Sequence, residues 1–238
     1  MRRVLETFLD VLYPSRCLGC RRSIDKDALI CQACWASIRK QMPPFCQKCG
    51  KEMYSFDKNA DVLCNECRDA DYLFERAYSV CRYEEPLKHC IHSFKYAGKK
   101  SLAAALSEML IEFCKQHLDM RSLNLIVPVP LHPARQRERE FNQAELLAKP
   151  LAETFGIEHG PKGLRRKTQG KAQSILNREL RLKNIVGAFE ATQPDSLSGR
   201  SILLVDDVFT TGATVNECAK ALRNARAKKV TVLTLARG

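Results

Sequence analysis

Two sets of residues in this chain have types and spacings that could do chemistry. The first is ILLVDDVFTTGAT, residues 202–214: an aliphatic run enters Asp206 and Asp207 and continues into Thr210, Thr211, Gly212, Ala213 and Thr214. Adjacent carboxylates repel each other, so a cation or strong hydrogen-bond donors must meet them. A Thr/Gly-rich turn that opens a helix offers backbone N–H groups, hydroxyls and the positive end of the helix dipole, which together hold a phosphate monoester. Gly212 lets the backbone approach such an anion closely. Two carboxylates beside a phosphate cup suit the vicinal hydroxyls of a ribose, which donate hydrogen bonds to them. The stretch therefore predicts a ribose-5-phosphate site.

The second set is sulfur. Of 12 cysteines, eight fall in C-x-x-C pairs: Cys17/Cys20, Cys31/Cys34, Cys46/Cys49 and Cys64/Cys67. Each such turn presents two thiolates to one ion, and two turns close a tetrahedral structural zinc site with no position left for substrate. Sequential pairing predicts one zinc on Cys17, Cys20, Cys31 and Cys34 and another on Cys46, Cys49, Cys64 and Cys67; interleaved pairing stays open. Gly19 and Gly50 lie at the knuckles. Iron–sulfur clusters, redox dithiols and disulfides are the rivals, and the fourfold repeat disfavours a thioredoxin-like dithiol. The opening MRRVLETFLDVLYP carries Glu6 and Asp10 inside its apolar part, so it reads as an amphipathic helix over 1–13 and not as an export signal. A cytoplasmic metalloprotein is the expectation, with residues 14–70 as a double zinc ribbon folded by metal.

The elements that must position the acid pair follow from pattern. After about residue 76 the cysteine pairs stop. Strands are predicted at 76–83, 123–130, 200–207 and 228–236, and helices at 86–96, 101–117, 142–156 (with a kink at Pro150), from Ser174, and at 213–227. Alternating strands and helices with continuous apolar strand cores predict an α/β domain over 76–238, built on a mainly parallel sheet. Ligands of such sheets bind beyond the carboxyl ends of the strands, where Asp206 and Asp207 fall.

Charge and missing motifs narrow the choice. A formal charge of +12 favours a polyanionic partner, nucleic acid or a phosphorylated metabolite. ILLVDD also opens receiver domains, but no aspartate follows Asp207 to accept a phosphoryl group. The P-loop pattern G-x-x-x-x-G-K-[ST] is missing from the sequence, as is any apolar run long enough for a transmembrane segment.

At the 202–214 stretch the chain resembles a type I phosphoribosyltransferase. VPVPLHPARQRERE-FNQAELLA (127–148), LRRKTQGKAQSILNRELRLKNIVGAF (164–189) and the paired cysteines narrow this to a resemblance to the ComF family of competence-associated proteins, over roughly residues 14–236. The resemblance implies a double zinc ribbon followed by a phosphoribosyltransferase domain. Carried over by position, Asp206 and Asp207 would hold the ribose of phosphoribosyl pyrophosphate and Thr210 to Thr214 its 5-phosphate. Arg135, Arg137 and Arg139 would receive the pyrophosphate, Lys171 and Gln173 would lie on a closing loop, and Lys95 and Lys99 at the substrate hood. Magnesium would bridge the pyrophosphate. The family usually writes Arg-Gly-Phe-Asn-Gln, whereas Glu140 takes the glycine place here; Gly170 also replaces a common hydroxyl residue.

Two functions follow from that resemblance. One is transfer of phosphoribosyl to a base or amine. The other is binding of single-stranded DNA during natural transformation, alongside other DNA-uptake proteins, with the sugar-phosphate site as an effector pocket. Residues 162–183 carry eight Lys/Arg and one Glu, which could track a DNA backbone. Trp35 is the lone tryptophan and aromatic residues make up 7%, so stacking platforms are few.

Overall fold

The computed structural model of the chain describes residues 15–25, 28–53, 63–167 and 185–238. The expected N-terminal helix over 1–13, Lys171, Gln173, Gly170 and the helix expected from Ser174 lie outside the described residues.

The paired cysteines occupy knuckles and two short helices, α1 (Gln32–Ser37) and α2 (Asn65–Arg68). The α/β part begins with β1 (Arg76–Arg82), α3 (Leu87–Tyr96) and α4 (Leu102–His117). It continues through β2 (Leu125–Pro128), α5 (Pro133–Arg139), α6 (Gln143–Phe155) and β3 (Glu158–His159). A small antiparallel pair, β4 (Leu164–Arg166) and β5 (Phe189–Ala191), stands outside the main sheet. After α7 (Pro194–Leu197) come β6 (Ser201–Phe209), α8 (Ala213–Asn224) and β7 (Lys229–Arg237).

The main sheet is parallel throughout, in the order β1-β7-β6-β2-β3. β2 passes through α6 to β3 on one side, and β6 passes through α8 to β7 on the other. The winding thus reverses between the neighbours β2 and β6, which opens a crevice at their carboxyl ends. That crevice receives Asp206, Asp207 and the turn that follows them.

β6 and β7 read as continuous apolar runs because both their faces are covered. Leu203, Val205, Leu233 and Leu235 pack with residues of α3, α4 and α6. Ile202, Leu204, Val230 and Val232 pack with Val215, Cys218, Ala219 and Leu222 of α8. Each fully buried aliphatic side chain contributes about 1.5–3 kcal/mol, so these two layers fix the crevice in place. α6 is a single helix with Pro150 inside it.

The cysteine-rich module docks along the free side of β1. Gln41 N–H donates to the Val80 carbonyl (2.9 Å), Arg82 N–H to Arg39 (2.9 Å) and Ala77 N–H to Lys48 (2.8 Å). Gly50 shows why this approach needs glycine: at φ +68°, a Cβ there would lie 2.3 Å from the Ala77 carbonyl oxygen. Glu52 of the module also accepts from Arg82 at 2.8 Å.

Candidate active site and metal centres

The sulfur ligands come together as the sequential pairing predicts. Cys17, Cys20, Cys31 and Cys34 form one cluster and Cys46, Cys49, Cys64 and Cys67 the other, with all Sγ atoms of each within 4.8 Å of one another. Zinc with Zn–S bonds of about 2.3 Å in a tetrahedron needs sulfurs roughly 3.8 Å apart. Sγ separations of 3.8 Å for Cys20–Cys31 and 3.6 Å for Cys49–Cys64 fit that ion. Amides also point at sulfur: Gly19 N–H and Cys31 N–H donate to Cys17 Sγ at 3.3 and 3.2 Å, and Cys64 N–H to Cys46 Sγ at 3.3 Å. Burial raises the Cys17 thiol, but these and neighbouring amides outweigh it and bring it down to about 6. A thiolate is the form that binds metal. The two centres differ in exposure: Cys20 is exposed, whereas all four cysteines of the second centre are buried.

The acid pair meets a cation. Lys95 Nζ, from the last turn of α3, lies 2.8 Å from Asp207 Oδ2, and both side chains are largely buried. Lys95, expected at the substrate hood, therefore reaches one of the acids itself. Burial opposes its charge, yet the Asp207 carboxylate outweighs that and holds the ammonium above its usual range. Asp206 accepts the Asp207 N–H through Oδ1 at 2.8 Å. Burial, and then the charge of Asp207, push Asp206 up to about 7, while Lys95 and that amide pull the other way. Asp206 also lies close enough to the fully buried Cys218 of α8 for its charge to raise that thiol further. Neighbouring positions of a strand project to opposite faces, which separates two like charges: Asp207 turns to α3, Asp206 toward α8.

The turn after β6 is shaped by its glycine. Gly212 has φ +75°, and a Cβ there would lie 2.6 Å from Phe209 Cζ and 3.1 Å from Tyr72 Cε1. It caps α8, and Ala213 N–H donates to Thr211 Oγ1 at 3.4 Å. Thr210 is exposed, and Thr211, Ala213 and Thr214 are half-buried. Tyr72 O–H donates to the Thr211 carbonyl at 3.1 Å, and Leu73 N–H to Asn216 Oδ1 at 2.7 Å. Tyr72 and Asn216 carry no motif signal; only the fold reveals them.

The segment after β2, where no helix is expected from the sequence, is in part the helix α5. His132 caps it: Ala134 N–H donates to Nδ1 at 3.2 Å. The three arginines share this one short helix. Arg135 lies 3.8 Å from Glu138, Arg137 is exposed, and the Arg139 guanidinium stacks 4.6 Å over the ring of Tyr96. The half-buried Arg139 has no hydrogen-bond partner for Nε among the described residues. Asn142 closes the segment, donating to the Val129 carbonyl at 3.0 Å and capping α6.

Known proteins of similar sequence place the chain. Residues 8–82 match a model of the double zinc ribbon domain and residues 144–238 one of the phosphoribosyl transferase domain. The DNA utilization protein YhgH of Salmonella typhimurium is 30% identical over 94% of this chain and 97% of its own length. Competence protein F of Haemophilus influenzae is 30% identical over 93% and 96%. The chain belongs to the ComF/YhgH family. Competence protein ComFC of Bacillus subtilis is likewise 30% identical, over 89% of this chain and 85% of its own length. The α/β part is a type I phosphoribosyltransferase-like fold preceded by a zinc-ribbon module.

The family's glycine place explains itself in this geometry. Glu140 ends α5 with φ +63°, in the left-handed region where glycine costs least. Its carboxylate does not pair with Arg137 or Arg139; it points into solvent, 3.9 Å from Lys100 Nζ. No helix among the described residues is long and apolar enough to cross a membrane.

Proposed function

We propose that the crevice binds phosphoribosyl pyrophosphate with magnesium and transfers its phosphoribosyl group to a base or amine, in the cytoplasmic handling of imported DNA. The observation that carries this reading is the junction at the strand reversal, where Asp206, Asp207 and the Gly212-headed helix start meet. The amides and hydroxyls of Thr210 to Thr214 would take the 5-phosphate, and the acid pair the ribose hydroxyls. Magnesium, a hard cation that takes oxygen ligands, would be held by pyrophosphate oxygens with Asp206 as the available carboxylate, and would neutralise the departing anion. Lys95 holds the Asp207 carboxylate in place. As the C1–oxygen bond to pyrophosphate breaks, the ring gains positive charge, which the acid pair would stabilise. The acceptor nitrogen then bonds C1 and loses its proton. Arg135, Arg137 and Arg139 are the candidates for receiving pyrophosphate, and Lys171 and Gln173 for closing over it. Guanidinium forks match phosphate oxygens.

Two measurements on zinc-loaded protein test this. Phosphoribosyl pyrophosphate with magnesium should raise the melting temperature, and pyrophosphate should be released in the presence of a suitable base or amine. Failure of both would sink the reading.

The basic run over 162–183 favours a second reading, in which the chain binds single-stranded DNA and the sugar phosphate is an effector without turnover. Asp206→Asn with Asp207→Asn separates the two. Sugar-phosphate binding should fall, while oligonucleotide affinity should hold or rise.

A further inference from the structure

We propose that the two four-cysteine centres act as separate mounts for the two halves of the candidate active site. The first seats the helix that brings Lys95 to Asp207; the second seats the phosphate turn. The contacts that form each mount are independent of any ligand, and the sugar-phosphate assignment of the halves rests on the function proposed above.

The first mount runs through α3. A Cβ on Gly19, in the knuckle of Cys17 and Cys20, would lie 2.9 Å from Cys34 Sγ and 2.9 Å from Pro86 Cβ. The knuckle is therefore in close contact with the residue that starts α3. The Gly19 carbonyl lies 3.1 Å from His89 Nδ1 in the first turn of that helix. Leu18 and Leu29 pack on the cluster that holds Leu87, Cys90, Ile91 and Phe94, the buried face of α3. A rigid helix fixed at its start and along one face delivers Lys95, at its other end, to a set place.

The second mount runs through Arg237, at the end of β7. Its guanidinium donates to the Cys49 carbonyl at 3.0 Å and lies 3.4 Å from Glu66, which sits between Cys64 and Cys67. The same group stacks 4.6 Å over the ring of Phe209. Phe209 meets Phe74 and Tyr72 edge-on, at 6.2 and 6.5 Å between centroids, and Tyr72 stacks on Phe74 at 4.7 Å. Phe209 and Tyr72 are the walls against Gly212, and Tyr72 holds the Thr211 carbonyl. A chain of packed and charge-assisted contacts thus joins the buried centre to the turn. Such a chain predicts coupling, and coupling has to be measured.

Hydrogen exchange followed by mass spectrometry, on full-length zinc-loaded protein with zinc content determined, tests the division. Cys67→Ser should keep one zinc and speed exchange over 209–216 roughly tenfold or more, leaving 88–97 unchanged. Cys34→Ser should keep the other zinc and do the reverse. Acceleration of both segments by either variant, or of neither, would overturn the proposal. Should a cysteine variant fail to fold, Arg237→Gln and His89→Ala decide, because both retain all eight thiolates. Arg237→Gln should loosen 209–216 alone and His89→Ala 88–97 alone, by about threefold or more; equal effects, or none, again overturn it. Exchange needs no sugar phosphate, so the two mounts stand or fall separately from sugar-phosphate binding.

Discussion

The cysteine-rich module and the five-stranded domain press against each other, yet they are held by opposite means. The domain has two thick apolar layers, and some of its buried polar groups pair with each other, as in Lys95–Asp207 and Ser79–Thr234. In the described part of the module, the buried apolar side chains are mostly the ligand cysteines themselves, with Ile38 at the junction. A segment that short on hydrophobic area folds only with help from metal. The difference teaches where stability and chemistry sit. The domain can bury charge because its apolar layers offset the cost, whereas the module holds its shape through clustered sulfur.

Metal removal should break the contrast most strongly. A chelator that strips both centres should unfold the module and lower the melting temperature more than any single substitution below, with near-native circular dichroism from the domain strands retained at low temperature. The first centre, with exposed Cys20, should yield its metal faster than the second; release followed with a chromogenic chelator should show two phases.

Within the domain, Lys95→Met should cost roughly 3 kcal/mol, because it strands a buried carboxylate. Adding Asp207→Asn should recover much of that loss in denaturant unfolding, and a strictly additive double variant would break the pairing argument. Gly212→Ala comes next, at about 2 kcal/mol from a left-handed backbone and the Phe209 contact, with at least a tenfold loss of sugar-phosphate affinity by calorimetry.

Asp206 sharpens the contrast through pH. Its folded value of about 7 stands above the ordinary 3.8, so the native state holds the extra proton. The stability this provides is complete below pH 4 and is lost as pH rises through 7. Asp206→Asn should therefore raise the melting temperature by several degrees at pH 8 relative to the parent, and the gain should shrink toward pH 4. The smallest effect belongs to Glu140→Gly, which relieves the left-handed residue and should add about 0.5 kcal/mol, measured by urea unfolding.

Much of this was legible in the sequence because local spacing encodes it. Each C-x-x-C turn is set within four residues, and the run from Ile202 to Thr214 spells a strand, an acid pair and a helix start in order. The main strands and helices α3, α4, α6 and α8 follow from apolar periodicity. What escaped depends on distant partners. Lys95 reaches Asp207 from a separate helix, Arg237 joins the end of β7 to Cys49, and Tyr72 holds the Thr211 carbonyl. None of these has a local pattern. Helix α5 escaped for a different reason: it buries none of its residues, so it has no apolar stripe to betray it. Glu140 was legible only as a departure from glycine, and its backbone angle supplies the cause.

The hydrogen bonds that join Arg39, Gln41 and Lys48 with β1 have a practical consequence. A fragment trimmed to the α/β part would bare those peptide groups as a ready template for a second copy's strand. Self-association of such a fragment would then report a lost neighbour, not a badly folded sheet, and adding charged residues along Arg76–Arg82 should be the simplest remedy for its solubility.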